Sequence, residues 1–500
     1  MREVVIGIDL GTSAVKIIMM DREGKVIAQT SNAYPLIEEK DGFVEQNPHE
    51  WVEKTKLGLQ QLASEQSDVM ISGISFSGQM HGLVMLDSQG EPLRNAILWN
   101  DTRTTAQCRI IENVLGEKLT SITKNDALEG FTLPKLLWVK EHEPDKFQQL
   151  HTFLLPKDYL RYRLTGELAM EPTDAAGTLL FDVLTQNWSK EICSQFDIPF
   201  SACAPIIRAD DFAGNLLNEF AEFFPQSSAI PVYAGGADNA CGALGAGIVN
   251  STQSLVSIGT SGVVLSPSFD SDYVGNFVHT FSYFQPSSQY IMGVTLAAGE
   301  SLRWYRSTFA SEFDFTELLK ELESVEIGAN GLLFTPYLFG ERTPFGDAKV
   351  RASFIGMKNT HERAHFTRAV IEGITFSLKQ CFDLIKKQNP KINQITCIGG
   401  AAKNATWLQI VADVFGLPVV KLKEEQGPAL GAAMLAAIGA GWFENYEEAV
   451  GNCVEISKVY KPNTKNHVQY DKFYQCYVEI YHRTHELNAT LLQIAESIND

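Results

Sequence analysis

Five hundred residues are too many for one compact core and point to two large folding units or about three smaller ones. Hydrophobic residues make up 45% and charged residues 20%, which excludes a chain that is disordered, collagenous or coiled coil throughout. With 60 acidic against 41 basic residues the formal charge is −19, so neither nucleic acid nor an anionic membrane surface is an expected partner, because both need cations that displace counterions.

The chain opens on a hairpin. Residues 4–8 are a short apolar β-type run, Asp9-Leu10-Gly11-Thr12-Ser13 is turn-rich, residues 14–20 are a second apolar run, and Asp21-Arg22-Glu23-Gly24 turns into a third over 25–30. A helix is expected over 48–66, then a buried-type strand over 70–76 that ends in Ser77-Gly78-Gln79-Met80-His81-Gly82. Residues 95–230 mix helices with loops. Near Pro231 the pattern restarts: Val232-Tyr233-Ala234 runs into Gly235-Gly236-Ala237-Asp238-Asn239 and a small-residue helix over 240–247. GTSGVVL at 259–265 then echoes GTSAVKI at 11–17, each with Gly-Thr-Ser between two apolar runs, which suggests two related halves with a boundary near 246–252. Residues 395–400 read as a strand before a helix over 404–415, the Ala- and Gly-rich window 428–443 as a packed core helix, and 462–498 as helical. Strands alternating with helices predict an α/β architecture, and the hairpins predict mixed rather than purely parallel sheets.

Eight cysteines stand singly, with no CxxC pair, so neither a zinc ribbon nor a disulfide scaffold is indicated; reduced cysteines in a cytoplasmic protein are the expectation. The N-terminus, MREVVIGID, does not read as a signal peptide, and window 428–443 falls short of the ~20 residues that span a bilayer.

Two Gly-Thr-Ser turns carry a chemical suggestion. Glycine lets the backbone approach an anion, consecutive N–H groups form an anion-binding concavity, and the hydroxyls add donors. Asp9, just upstream of the first turn, could hold Mg2+, which keeps several of its waters. Two such turns facing one another would bracket a polyphosphate. The chain has no GxxxxGK[ST] and no GxGxxG opening a helix after a strand. His361-Glu362-Arg363-Ala364-His365 matches the HExxH zinc pattern, but Asn359-Thr360 before it look like a helix cap, which puts it on the outer first turns of a helix without a further ligand cluster; zinc is not expected.

Asp9-Leu10-Gly11-Thr12-Ser13, Gly259-Thr260-Ser261-Gly262 and Gly399-Gly400-Ala401-Ala402-Lys403-Asn404 resemble the two phosphate motifs and the adenosine motif of the actin/hexokinase/Hsp70 ATPase superfamily. Their order and spacing resemble its FGGY carbohydrate kinase branch. SGQMHG at 77–82, ILWNDTR at 97–103, GFTLPKLLW at 130–138, LPKDYL at 155–160 and YLFGERTP at 337–344 are similar to the xylulokinases within it, and the likeness runs from about residue 4 to about residue 440.

The resemblance implies two actin-like (ribonuclease H-like) domains, each a mixed sheet flanked by helices, with a cleft between them. It places a sugar-binding domain at 1–247, a nucleotide-binding domain at 248–445 and a helical segment at 446–500. It implies ATP and Mg2+ as cofactors and phosphorylation of D-xylulose to D-xylulose 5-phosphate. Asp238 matches the general base, Met80, His81 and Asn239 the sugar contacts, and Asp9 the metal position. Thr12, Ser13 and Thr260 match phosphate contacts, Gly299 a nucleotide-facing glycine, and Gly400, Ala401 and Asn404 the adenosine site. Ala237 departs from a third glycine common there. Lys16 reads either as a cation toward phosphate or as an exposed strand lysine, and Asp101 and Arg103 either complete the pocket or pair with each other. Kinases of glycerol, gluconate or L-ribulose share the nucleotide motifs, and an actin- or Hsp70-like ATPase shares the turns. A homodimer is an open expectation.

Overall fold

The computed structural model describes residues 1–226, 228–268 and 277–499. Its architecture rests on two seven-stranded mixed sheets of one design. In the first, Arg2–Leu10, Ala14–Asp21 and Val26–Ala33 form an antiparallel meander. Arg2–Leu10 also pairs parallel with Val69–Gly78, this pairs parallel with Pro231–Tyr233, and Phe212–Asn215 closes the edge antiparallel. In the second, Gln253–Ile258, Gly262–Ser268 and Gln289–Thr295 form the meander. Gln394–Gly399 and Val419–Leu422 follow in parallel, and Ile456–Tyr460 closes the edge antiparallel. Strand order and direction repeat over these six strands, as the echo between the Gly-Thr-Ser turns anticipates, while the seventh differs: Gly236–Ala237 pairs with Val69–Gly78 in the first sheet and His279–Ser282 with Gln289–Thr295 in the second.

Successive residues of a strand point to opposite faces, so a strand buried at every position has both faces covered. Val4, Val5, Ile6, Ile8 and Leu10 are all fully buried. The helix Pro48–Glu65 packs on the outer strands of that sheet, and Pro428–Gly439 packs on Arg2–Leu10 and Val69–Gly78. The latter contact is a finding that the pattern does not announce. After supplying the second sheet with strands, the chain returns, and both Pro428–Gly439 and Tyr446–Cys453 join the hydrophobic core of the first half. It then crosses again, and Tyr470, Tyr474, Tyr477 and Ile480 of the final helix Thr464–Asn499 enter the second core.

Small residues make this return fit. A Cβ on Gly7 would strike the carbonyl oxygen of Ala429 and come within 2.6 Å of the Ala433 nitrogen. Both are backbone atoms that cannot swing aside. Gly7→Ala is therefore expected to destabilise the protein by ~1–3 kcal/mol, the usual cost of overpacking, and to lower its denaturation midpoint in a thermal melt; an unchanged midpoint would contradict this packing.

The helix Arg363–Gln388 starts later than its sequence suggests. Glu362, not Asn359 or Thr360, is the N-cap, so His361 lies before the helix and the two histidines of HExxH do not share a helical face. Each Nδ1 accepts a backbone N–H, from Lys358 at 3.0 Å and from Glu362 at 3.1 Å. Among the described residues no helix is long and apolar enough to cross a membrane.

Candidate active site

The strand Val69–Gly78 delivers Met80 and His81 to a cavity of about 210 Å3 between the two halves. Asp238 and Asn239 enter the same cavity from the first turn of the helix Asp238–Gly245, directly after the short strand Gly236–Ala237. The four residues assigned to sugar chemistry are thus brought together. The second half contributes Ser261, Val263, His279, Met292, Val294 and Arg342 to the same walls.

Asp238 does not act as the helix cap, which is Ala237. Its Oδ1 accepts from the backbone N–H of Asn239 at 2.6 Å and from Asn239 Nδ2 at 2.9 Å. Burial, and then the charge of Asp9, push its carboxyl up to about 7, against the lowering effect of Asn239. Asp9 stands near the end of its strand, beside the first turn. Burial holds it at about 6, opposed by the nearby Ser77 hydroxyl and by the Lys16 charge. Asp9 Oδ1 is buried without a hydrogen-bond partner. An orphaned carboxylate oxygen next to a second carboxylate is a group with room for a cation.

His81 is fixed on both sides. Its ring Nδ1 lies 2.7 Å from the carbonyl oxygen of Gly177. A carbonyl only accepts, so Nδ1 carries the proton and Nε2 is left to accept. Burial holds the imidazole down at about 3, hence neutral. The His81 carbonyl accepts from Thr132 Oγ1 and Lys135 Nζ, both at 3.0 Å. Met80 Sδ receives Asn239 Nδ2 at 3.6 Å and the Tyr290 hydroxyl at 3.7 Å, one from each half.

Residues unassigned from sequence complete the cavity. His279, also held neutral at about 3 by burial, has its Nδ1 3.3 Å from Asn125 Oδ1. Arg342 brings the guanidinium, and Trp99 borders the mouth while its indole N–H donates to Thr12 Oγ1 at 3.0 Å. Arg342 and Trp99 lie inside the segments 337–344 and 97–103, so the motif was legible although the individual role was not; His279 carries no sequence signal.

The two Gly-Thr-Ser turns border this region, the first through the Thr12–Trp99 bond and the second through Ser261. Ser13 and Thr260 are exposed at the turns. Gly299 opens the helix Gly299–Phe309, and its N–H donates to the Gly259 carbonyl at 2.8 Å. A Cβ there would come within 2.5 Å of that oxygen, so the residue must be glycine for helix and turn to meet.

Gly299, Gly400, Ala401 and Asn404 line a second cavity of about 380 Å3, walled by Leu302, Phe315, Leu319 and Trp407. Apolar walls with glycine backbone suit a flat heterocycle. Asn404 also caps the helix Ala405–Phe415, its Oδ1 accepting from the Trp407 N–H at 2.8 Å. Lys16 lines neither cavity, and its Nζ donates to the carbonyl and Oε1 of Gln426, both at 2.9 Å. Lys16 is therefore not a free strand lysine: it ties the first meander to the segment that leads into Pro428–Gly439. Asp101 and Arg103 pair, with Arg103 Nη2 2.7 Å from Asp101 Oδ2, both essentially buried and absent from the cavity walls.

Topologically matched halves around a cleft, a buried carboxylate in one cavity and an apolar cavity near paired Gly-Thr-Ser turns define a two-domain phosphotransferase of the actin-like ATPase architecture. Comparison with known proteins agrees. Residues 4–245 match the N-terminal domain and 254–440 the C-terminal domain of the FGGY family of carbohydrate kinases. The chain belongs to that family. It is 52% identical to a xylulose kinase of Bacillus subtilis, over 97% of this chain and 98% of that one. Among solved structures it resembles a ligand-bound xylulose kinase of Lactobacillus acidophilus, with TM-score 0.92 and 28% identity over 96% of this chain and 98% of the other. A gluconate kinase of the same organism is as similar in shape, with TM-score 0.91 and 29% identity over 97% and 99% of the two chains.

Proposed function

We propose that this protein transfers the terminal phosphoryl group of ATP to D-xylulose, giving D-xylulose 5-phosphate. The observation that carries the reading is the meeting of Met80, His81, Asp238 and Asn239 in one cavity that touches the second Gly-Thr-Ser turn. At about 210 Å3 the cavity is smaller than the ~300–1,000 Å3 of drug-sized sites, which suits one small sugar.

In this reading Asp238 accepts the proton of the attacking sugar hydroxyl. Phosphoryl transfer asks the protein for an oriented nucleophile and stabilised charge and for little else. The neutral imidazoles of His81 and His279 and the side-chain oxygen of Asn239 accept from sugar hydroxyls, Arg342 donates to sugar oxygens, and Met80 is an adaptable apolar wall. Thr12, Ser13 and Thr260 hold phosphate oxygens, while Gly299, Gly400, Ala401 and Asn404 receive the adenosine. Asp9 holds Mg2+, whose charge offsets that of the phosphates. Closure of the halves keeps water, the competing acceptor, away from the phosphoryl group.

Shape does not choose the sugar, since the gluconate kinase fits as well. A coupled ADP-release assay across D-xylulose, L-ribulose, glycerol and gluconate tests the reading. D-xylulose is expected to give the highest kcat/KM. A higher value for another acceptor, or ADP release that no acceptor stimulates, would refute it.

A further inference from the structure

The segment LPKDYL at 155–160 touches neither cavity, yet its charged residues are completely buried. Lys157 Nζ lies 2.8 Å from Asp158, 3.2 Å from Glu171 and 3.3 Å from Asp174, and all four side chains have no solvent exposure. Arg161 joins through Asp158 at 3.5 Å. Two cations thus face three carboxyls. Burial holds the Asp174 carboxyl well above the usual range, and neither of its oxygens has a hydrogen-bond partner. Buried ion clusters of this kind are a poor means of stabilising a fold, because desolvation offsets the attraction. Their geometric effect is the better question.

Glu171 caps the short helix Pro172–Ala175: one oxygen accepts from Thr173 N–H at 2.7 Å, the other from Asp174 N–H and Thr173 Oγ1, both at 2.9 Å. Thr173 Oγ1, its own proton spent on Glu171, accepts the N–H of Ala237 at 2.9 Å. Ala237 immediately precedes Asp238. Two residues after the same helix, Gly177 offers the carbonyl that fixes the His81 ring. A Cβ at Gly177 would come within 2.6 Å of His81 Nδ1, so this approach is itself tight.

We infer that Thr173, anchored by Lys157 through Glu171, is a positioning residue that sets where the Asp238 carboxylate stands relative to the sugar hydroxyl. The inference rests on the role proposed above for Asp238. A displacement of ~1 Å in such a group can cost ~10²-fold in rate. The Lys157–Glu171–Thr173 chain reaches Asp238 through backbone, and the same helix reaches His81 through Gly177, so one buried anchor serves the base and a sugar contact together.

The test compares Thr173→Val, which keeps the shape and loses the hydroxyl, with Thr173→Ser, which keeps the hydroxyl. Turnover is measured with whichever acceptor the unaltered protein phosphorylates fastest, so the result does not depend on that acceptor being D-xylulose. If Asp238→Ala leaves that turnover intact, the role of Asp238 fails on its own and is told apart from a failure of the anchor. Thr173→Val is expected to lose ~10–100-fold in kcat per folded enzyme with the KM for ATP unchanged, and Thr173→Ser to return within about threefold of the unaltered value. Glu171→Gln, which keeps the volume and removes the charge that meets Lys157, is expected to lose about tenfold in kcat with the same KM for ATP. Unaltered kcat in Thr173→Val or in Glu171→Gln, or a Thr173→Ser protein as slow as Thr173→Val, would overturn the inference.

Discussion

Asp238→Ala is expected to lower kcat by at least ~10²–10⁴-fold, the range typical of a positioned base, while the protein stays folded and its affinity for nucleotide changes little. The reason is the environment of the carboxyl. Burial and the neighbouring Asp9 raise it to about 7, and a general base is most effective when its pKa lies near the operating pH. Activity of the unaltered enzyme should therefore rise with pH through this region as Asp238 loses its proton. Stability moves the other way. The folded-state value lies above the unfolded one of 3.8, so the contribution of this group is fully present below that value and is lost as pH rises through about 7. Asp238→Asn removes the charge at every pH. Its melting temperature should exceed that of the unaltered protein at pH 8, with the gap closing toward pH 4. An active Asp238→Ala enzyme, or a gap that widens toward acid, would contradict the placement of this carboxylate.

Asp9→Asn is expected to cost ~10²–10³ in kcat, the scale seen when one preorganised group that stabilises developing charge is removed. Asp9 has a buried oxygen without a protein partner, so its loss should also raise the Mg2+ concentration needed for half-maximal rate. The charge of Asp9 raises Asp238, so without it Asp238 titrates lower and the acid limb of the residual activity moves to lower pH. Rate measured against Mg2+ and against pH checks both. An unchanged Mg2+ requirement with an unmoved acid limb would remove Asp9 from the site.

Much of this was legible in the chain because the chemistry sits on local patterns. A Gly-Thr-Ser turn between apolar runs is a hairpin whatever lies around it, and both turns fall where the spacing puts them. The carboxylate after Gly235-Gly236-Ala237 is set by a strand that ends at Ala237 and a helix that starts at Asp238. What was not legible depends on partners remote in sequence. The helix Pro428–Gly439 is apolar on every side, so its pattern reports burial without reporting that the buried neighbour is the first sheet. His279 is an ordinary strand residue until Asn125 and Phe131 from the other half stand beside it. Lys16 reads as a strand lysine until Gln426 supplies two acceptors. Asp101 and Arg103 could be read as pocket groups or as partners, and only their burial together, with Asp101 Oδ2 accepting the Val44 N–H at 2.6 Å, decides for the pair.

The helices Asp238–Gly245 and Pro428–Gly439 meet over backbone rather than side chains, as the tight setting of Gly431 against Cys241 requires. Asp238 thus begins a helix that is packed against the segment leading back from the second half.

A crystal structure with D-xylulose and a non-hydrolysable ATP analogue measures the central geometry directly. The C5 hydroxyl oxygen should lie within ~2.6–3.2 Å of an Asp238 carboxylate oxygen and in line with the terminal phosphorus. A sugar bound away from His81 and Asp238, or a terminal phosphate on the far side of the cleft from that hydroxyl, would contradict it.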